Sequence, residues 1–232
     1  MLQKTWSMAK KTLTLHIPST ARGPLPLAVL NVYAGDGSDV WRRCCELAHG
    51  DVPFALAAVG GLDWERNMTP WPAEPATRNE APYAGGAGAH LAWILAEALP
   101  AVERELASAG IEVSYRVIAG YSLAGLFALW APWQTGAFAR AASASGSLWY
   151  EGFLEYAAGQ EPIRVPDAAY LSLGSKEHRT PNRLMRHVRE RTEQMAGLLR
   201  GLGARTTFEL NPGNHFQDPD LRMARALLSV TA

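Results

Sequence analysis

Cysteine is nearly absent from this chain: there are two in 232 residues, and they are neighbours, Cys44 and Cys45. Adjacent residues seldom bridge, so no disulfide framework is expected, only two reduced and partly buried thiols, with a thiol-redox pair as the alternative. Long apolar runs are also missing, and none is long enough to span a bilayer as a helix. Near the start, Lys4, Lys10 and Lys11 are accompanied by an alternating stretch from Thr12 to Pro18 instead of the unbroken apolar core of a signal peptide, so a cytoplasmic location is expected. No surplus of either charge exists, because 22 basic residues face 22 acidic ones. That balance argues against a nucleic-acid or membrane surface built on bulk electrostatics. No Cys/His cluster has metal-ligand spacing, and neither a metal nor another cofactor is expected.

What the chain does have is core. Apolar residues make up 48% against 19% charged, and the length suits one domain over residues 1–232 that buries a sizeable interior. Small-molecule chemistry is the function class that remains.

The most informative stretch runs from Tyr115 to Leu126, YRVIAGYSLAGL. Its first half suits a strand covered at least partly on both faces, and Gly120 ends it. From Leu123 to Trp130 the sequence is apolar on nearly all sides, as in a helix buried against a sheet. Between them, Ser122 is surrounded by Gly120, Ala124 and Gly125, the small residues that a strained strand-to-helix turn requires. Read this way, Ser122 is a nucleophile whose oxygen stands at a helix N-terminus, where the Leu123 N–H can stabilise an oxyanion. The motif departs from Gly-x-Ser-x-Gly by Ala124, and a structural turn that happens to carry serine is the competing reading.

The remaining segments alternate strand and helix. Thr12–Ile17 reads as a half-buried strand with His16 on its wetter face, Leu27–Tyr33 as a central strand and Phe54–Val59 as a buried one. The loop Ala34-Gly35-Asp36-Gly37 between them follows an early strand, so the backbone of Gly35 or Asp36 is a candidate second oxyanion donor, or else an ordinary glycine turn. Ser38 or Asp39 is placed to cap the helix that follows. The long aperiodic segment from Leu62 to Gly88 offers Trp64, Trp71 and Tyr83 as pocket walls and Arg66 as an anchor for carboxylate or phenolate oxygens. The alternative is that these residues pin the loop to the core. Leu91, Leu95, Leu99, Val102 and Leu106 mark an amphipathic helix interrupted or kinked near Pro100. Trp149, after the small-residue strand Ala141–Ser145, stands where ligands meet the carboxyl ends of parallel strands, whereas the serines of that strand suit packing.

A serine hydrolase of this architecture needs its carboxylate and histidine after the nucleophile, each in a loop after a later strand. Glu177 is the first acid after the strand Ala168–Leu173, and His215 follows the strand Thr206–Leu210. Ser122, Glu177 and His215 therefore arrive in the required order. Phe216 adds an aromatic at the same end. No insertion is long enough to form a separate cap, so the pocket is expected to be open and to admit soluble short or aryl-acyl esters.

With these residues in hand, the chain resembles the esterase-D and enterochelin-esterase-like branch of the α/β-hydrolases. The resemblance is carried by GYSLAGL at 120–126, SGSLWY at 145–150, LGSKE at 173–177 and GNHF at 213–216, with RNMTPW at 66–71 also similar. It implies a mostly parallel sheet of about eight strands with helices on both faces, and a Ser122, Glu177, His215 triad acting on a small-molecule ester. Siderophore esterases, carboxylesterases and S-formylglutathione hydrolases are among its members. The chain departs from the siderophore esterases in showing no added N-terminal domain, and from related sequences in having Ser175 where an aspartate is common. An acyltransferase or thioesterase with the same triad, and an idle binding protein of the same shape, are the other function classes.

Overall fold

A computed structural model describes residues 2–8, 10–77 and 81–232. In chain order the elements are β1 (Leu2–Met8), β2 (Lys11–Ile17), β3 (Leu25–Asn31), α1 (Ser38–Leu47), β4 (Ala55–Gly60), α2 (Trp64–Asn67), β5 (Pro72–Ala73), β6 (Tyr83–Ala84), α3 (Ala87–Trp93), α4 (Leu99–Ser108), β7 (Val113–Tyr121), α5 (Leu123–Trp130), β8 (Arg140–Ala144), α6 (Phe153–Gly159), β9 (Ala168–Gly174), α7 (Val188–Gly201), β10 (Arg205–Asn211) and α8 (Pro219–Thr231). Eight strands form one sheet in the order β1-β2-β4-β3-β7-β8-β9-β10. The pairings from β4 to β10 are parallel, while β1 and β2 join antiparallel.

Helices cover both faces, as a parallel sheet demands. On one face α3 to α7 bury Leu91, Leu99, Leu106, Phe127, Phe153 and Met195. On the other, α1 and α8 contribute Val40, Trp41, Met223 and Leu227. This second layer corrects the expectation for His16. Its ring is fully buried and stacks on Trp41 of α1 with centroids 5.5 Å apart. Strand alternation identifies the face of a residue, but only the packing of α1 makes that face dry.

Two local departures have simple causes. The helix around Pro100 changes to a π turn over Ile94–Ala98 before continuing as α4. Proline has no N–H to give the carbonyl four residues back, so the hydrogen-bond ladder shifts there. The aperiodic segment is closed by a two-stranded clip, β5 with β6; its residues 78–80 lie outside the described residues. No helix among the described residues is long and apolar enough to cross a membrane.

The topology fixes where a ligand can bind. The chain moves from β3 to β4 on one side and later to β7 on the other, so β3 and β7 diverge from a switch point. Asn31 pairs with Gly120 in register. The loop after Asn31 and the turn at Ser122 consequently open side by side.

Candidate active site

Ser122 sits at the junction of β7 and α5 with φ 58° and ψ −123°, a strained backbone for a residue with a Cβ. The small neighbours are required by contact. A Cβ on Gly120 would lie 2.3 Å from the Ala124 carbonyl, and one on Gly125 would lie 2.7 Å from Ser143 Oγ and 2.9 Å from Gly146 Cα. Ala124 is tolerated because the position that must be bare is Gly120. The Ser122 carbonyl accepts hydrogen bonds from the N–H groups of Gly125, Leu126 and Ser147, which hold the turn from two sides.

The other two members of the expected triad reach Ser122 from the ends of β9 and β10. Ser122 Oγ lies 3.1 Å from His215 Nε2, and Glu177 Oε2 accepts from His215 Nδ1 at 2.9 Å. Since Nδ1 donates to a carboxylate, Nε2 of the neutral ring is left as the acceptor for the serine proton. The Glu177 side chain is almost fully buried. Burial pushes its pKa up, but the hydrogen bond and charge of His215, the Gly174 N–H and the Ser145 hydroxyl overcome this and hold it below the usual glutamate value.

Several positioning residues lie outside what sequence order could supply. Arg222 of α8, 2% exposed, donates from Nη1 to Glu177 Oε1 at 3.0 Å and to Ser145 Oγ at 3.0 Å, and from Nη2 to the carbonyls of Pro212 and Asn214 at 2.8 and 2.9 Å. One guanidinium thus ties the acid to two carbonyls of the loop that carries His215. Gly174 has to be glycine there, because its Cβ would lie 2.6 Å from the Gly213 carbonyl oxygen and 2.9 Å from the Arg222 nitrogens. Ser145 adopts φ 47° and donates to Glu177 Oε1 at 2.8 Å, so its role exceeds the small-residue packing expected of it. Tyr121 donates to the His215 carbonyl at 2.6 Å. The one signal of these in the sequence is an arginine in register with Ala226 and Val230 on the apolar stripe of the last helix.

The loop from Val32 to Gly37 forms the facing wall. Asp36 Oδ1 accepts from the Ser38 N–H at 3.0 Å, so Asp36, and not Ser38 or Asp39, serves the start of α1. His16 Nε2 donates to the Asp36 carbonyl at 2.8 Å and fixes that peptide from below. Beneath Asn31, His90 Nε2 lies 2.9 Å from Asn31 Oδ1, and Lys11 Nζ lies 2.9 Å from His90 Nδ1. An imidazole that accepts from lysine at Nδ1 must be neutral, and burial, then the Lys11 charge, lower the His90 pKa to about 3.

A cavity of about 660 Å³ lies over Ser122, lined by Leu123, Gly35, Asp36 and His215 and walled by Tyr33, Trp64, Tyr83, Trp149 and Phe216. Trp149 and Phe216 are thus among the residues that line it. Arg66 and Trp71 do not line it. Arg66 folds back over Gly86, whose N–H donates to the Arg66 carbonyl at 2.8 Å, and Trp71 donates from its indole to the Glu151 carbonyl at 3.0 Å while packing on Tyr150 and Tyr156. The single turn of α2 turns Trp64 toward the cavity and its neighbour Arg66 away from it, so both expected contacts become pins of the long loop. Among the described residues no group of His, Cys, Asp and Glu could hold a metal.

No family model matches the chain. The uncharacterized protein YbbA of Bacillus subtilis is 29% identical over 206 residues, 83% of this chain and 79% of that protein. Among solved structures, the siderophore hydrolase EstB from Aspergillus nidulans matches with a TM-score of 0.72 at 20% identity, over 99% of this chain and 94% of that one. An IroE-like serine hydrolase from Shewanella oneidensis gives 0.75 at 15%, over 99% and 79%, and an enterobactin hydrolase IroE in complex with DFP gives 0.73 at 20%, over 99% and 95%. This chain has the α/β-hydrolase fold. The structures it matches include ones described as a siderophore hydrolase and an enterobactin hydrolase. Within the α/β-hydrolase fold, the serine, acid and histidine described above follow the carboxyl ends of β7, β9 and β10; Ser122 and His215 line the cavity, and Glu177 is buried behind His215.

Proposed function

We propose that the protein is a serine ester hydrolase in which Ser122 is the nucleophile, His215 the general base and Glu177 the residue that orients His215 and stabilises its charged form. The observation that carries this reading is the continuous chain from Ser122 Oγ through His215 to the buried Glu177, with links of 3.1 and 2.9 Å. In the reaction, His215 Nε2 takes the hydroxyl proton as Ser122 Oγ attacks the ester carbonyl, and the carbonyl π electrons move onto oxygen. The Leu123 N–H and one from the Gly35-Asp36 segment stabilise that oxyanion, each donor contributing roughly 3–4 kcal/mol in sites of this kind. Collapse expels the alcohol, which receives the proton from His215, and leaves an acyl-enzyme. Water, deprotonated by His215, then attacks the acyl carbon and regenerates Ser122. An aromatic-walled cavity of about 660 Å³ suits short or aryl-acyl esters, since long lipid chains require a deep apolar tunnel.

One structural relative is described as a complex with DFP, which motivates the test. A fluorophosphonate probe should label the peptide carrying Ser122, and Ser122→Ala should lose both labelling and hydrolysis of p-nitrophenyl acetate, by a factor on the order of 10⁵–10⁶ in kcat. Near wild-type turnover in that variant, or labelling elsewhere, would overturn the assignment.

A further inference from the structure

Among the described residues, the cavity over Ser122 is lined by charge of one sign: Asp36, Asp39, Glu65 and Asp220 are carboxylates, and none of the described lining residues is lysine or arginine. Four arginines on neighbouring elements are already engaged or turned away. Arg42 pairs with Glu46 at 2.7 Å and Asp39 at 3.3 Å, Arg43 pairs with Glu46 at 2.8 Å, and Arg66 lies over Gly86. Arg222 is consumed beneath the site by Glu177 and the histidine loop. Asp36, by contrast, accepts from the hydroxyl and N–H of Ser38 and, at 3.0 Å, from Gln3, none of them charged. Burial, and after it the like charge of Asp39, push the Asp220 pKa up, and Arg42 and Arg43 do not offset this.

Aromatic faces stand between these carboxylates. Tyr33 is 73% exposed and meets Trp64 edge-on at 5.3 Å, next to Glu65, and Phe216 is 86% exposed at the opposite rim. Carboxylates interleaved with exposed aromatic rings attract a cation both by charge and by the ring quadrupole, and they repel an anion. We infer that this site selects esters bearing a cationic group, such as an alkylammonium on the alcohol or acyl side, and rejects anionic esters. The inference rests on the ester-hydrolase reading for the word ester, and on the cavity alone for the charge preference. It replaces the anionic preference that Arg66 suggested from the sequence.

The test has two arms. In the first, kcat/KM is measured for acetylcholine, for the neutral isostere in which carbon replaces nitrogen, and for the acetate ester of hydroxyethanesulfonate. The expected order is cation over neutral over anion, with roughly tenfold steps at about 0.01 M ionic strength that shrink toward parity near about 1 M. A Glu65→Gln, Asp220→Asn double variant should bring the cation-to-neutral ratio to within about threefold. In the second arm, which involves no turnover, tryptophan fluorescence follows binding of phenyltrimethylammonium and of benzenesulfonate, and only the first should bind. A neutral or anionic ester turned over best, or a ratio that ignores both salt and the double variant, would overturn the preference while leaving the hydrolase reading intact. If no ester is hydrolysed but phenyltrimethylammonium alone binds, the hydrolase reading fails and the charge preference stands. Equal binding of the two probes would overturn the preference whatever the first arm gives.

Discussion

Arg222 is the residue on which most of the site's geometry converges. Its guanidinium makes five hydrogen bonds, to Tyr121, Ser145, Glu177, Pro212 and Asn214, from a position 2% exposed. Removing one partner of a buried ion pair strands the other, which costs about 3–5 kcal/mol. Arg222→Met should therefore lower unfolding stability by about that much in urea titration. In the fraction that folds, the kcat for p-nitrophenyl acetate should fall far more than KM changes, because the acid and the histidine loop lose their common tie. Arg222→Lys keeps the charge but not the fork, and it should recover only part of the stability. A variant with wild-type stability and kcat would show that the loop holds itself.

At the scale of elements, the turn from β7 to α5 is where backbone strain meets the proposed nucleophile. The φ of 58° at Ser122 costs about 1–3 kcal/mol unless surrounding contacts over-determine it, and here Gly120, Gly125 and Ser147 do so. Contact distances rank the glycines. Gly120→Ala drives its methyl into backbone at 2.3 Å, which has no room to move, whereas Gly125→Ala first meets the rotatable Ser143 hydroxyl at 2.7 Å. Thermal unfolding should place the first variant about 3 kcal/mol or more below wild type, or prevent folding, and the second above it. The reverse order would mean that α5 can slide along the sheet. The same scale explains the long loop: Trp71 and the β5-β6 clip hold it against the connection from β8 to α6, leaving Trp64 and Tyr83 to face the cavity.

Over the whole molecule, two buried titratable groups set the acid limit of stability. His90 has a folded pKa of about 3 against an ordinary 6.5. Above pH 6.5 both folded and unfolded forms are neutral and the contribution is complete. Below it the unfolded chain takes up a proton that the folded one refuses, so stability falls by up to about 1.4 kcal/mol per pH unit until about pH 3. Glu177 acts lower: its depressed folded pKa contributes stability above the unfolded value, lost as pH falls through the folded one. Urea midpoints should thus decline from about pH 6.5 to 5 by the equivalent of about 2 kcal/mol. His90→Gln should flatten that slope while starting from a lower value. An unchanged slope in the variant would assign the acid limit to other groups.

Local chemistry was legible in the sequence alone. The need for small residues around Ser122 and the burial of the strand and helix on either side follow from steric and hydropathic rules acting within a few residues, while the serine, acid, histidine order matches the pattern of this architecture along the chain. They put Ser122, Glu177 and His215 at the ends of three strands, and the parallel sheet brings those ends together. The edge strand β1 left no such trace, because its residues are mostly exposed and their pattern carries little hydrophobic signal. Neither did the burial of His16, the convergence of Arg222 on Glu177, or the turning away of Arg66 and Trp71. Each of these depends on a partner 20 or more residues distant in sequence, such as Asp36 for His16, Glu177 for Arg222 and Glu151 for Trp71. Periodicity tells which way a side chain faces; the identity of what it meets there is decided only when helices from distant parts of the chain pack onto the two faces of the sheet.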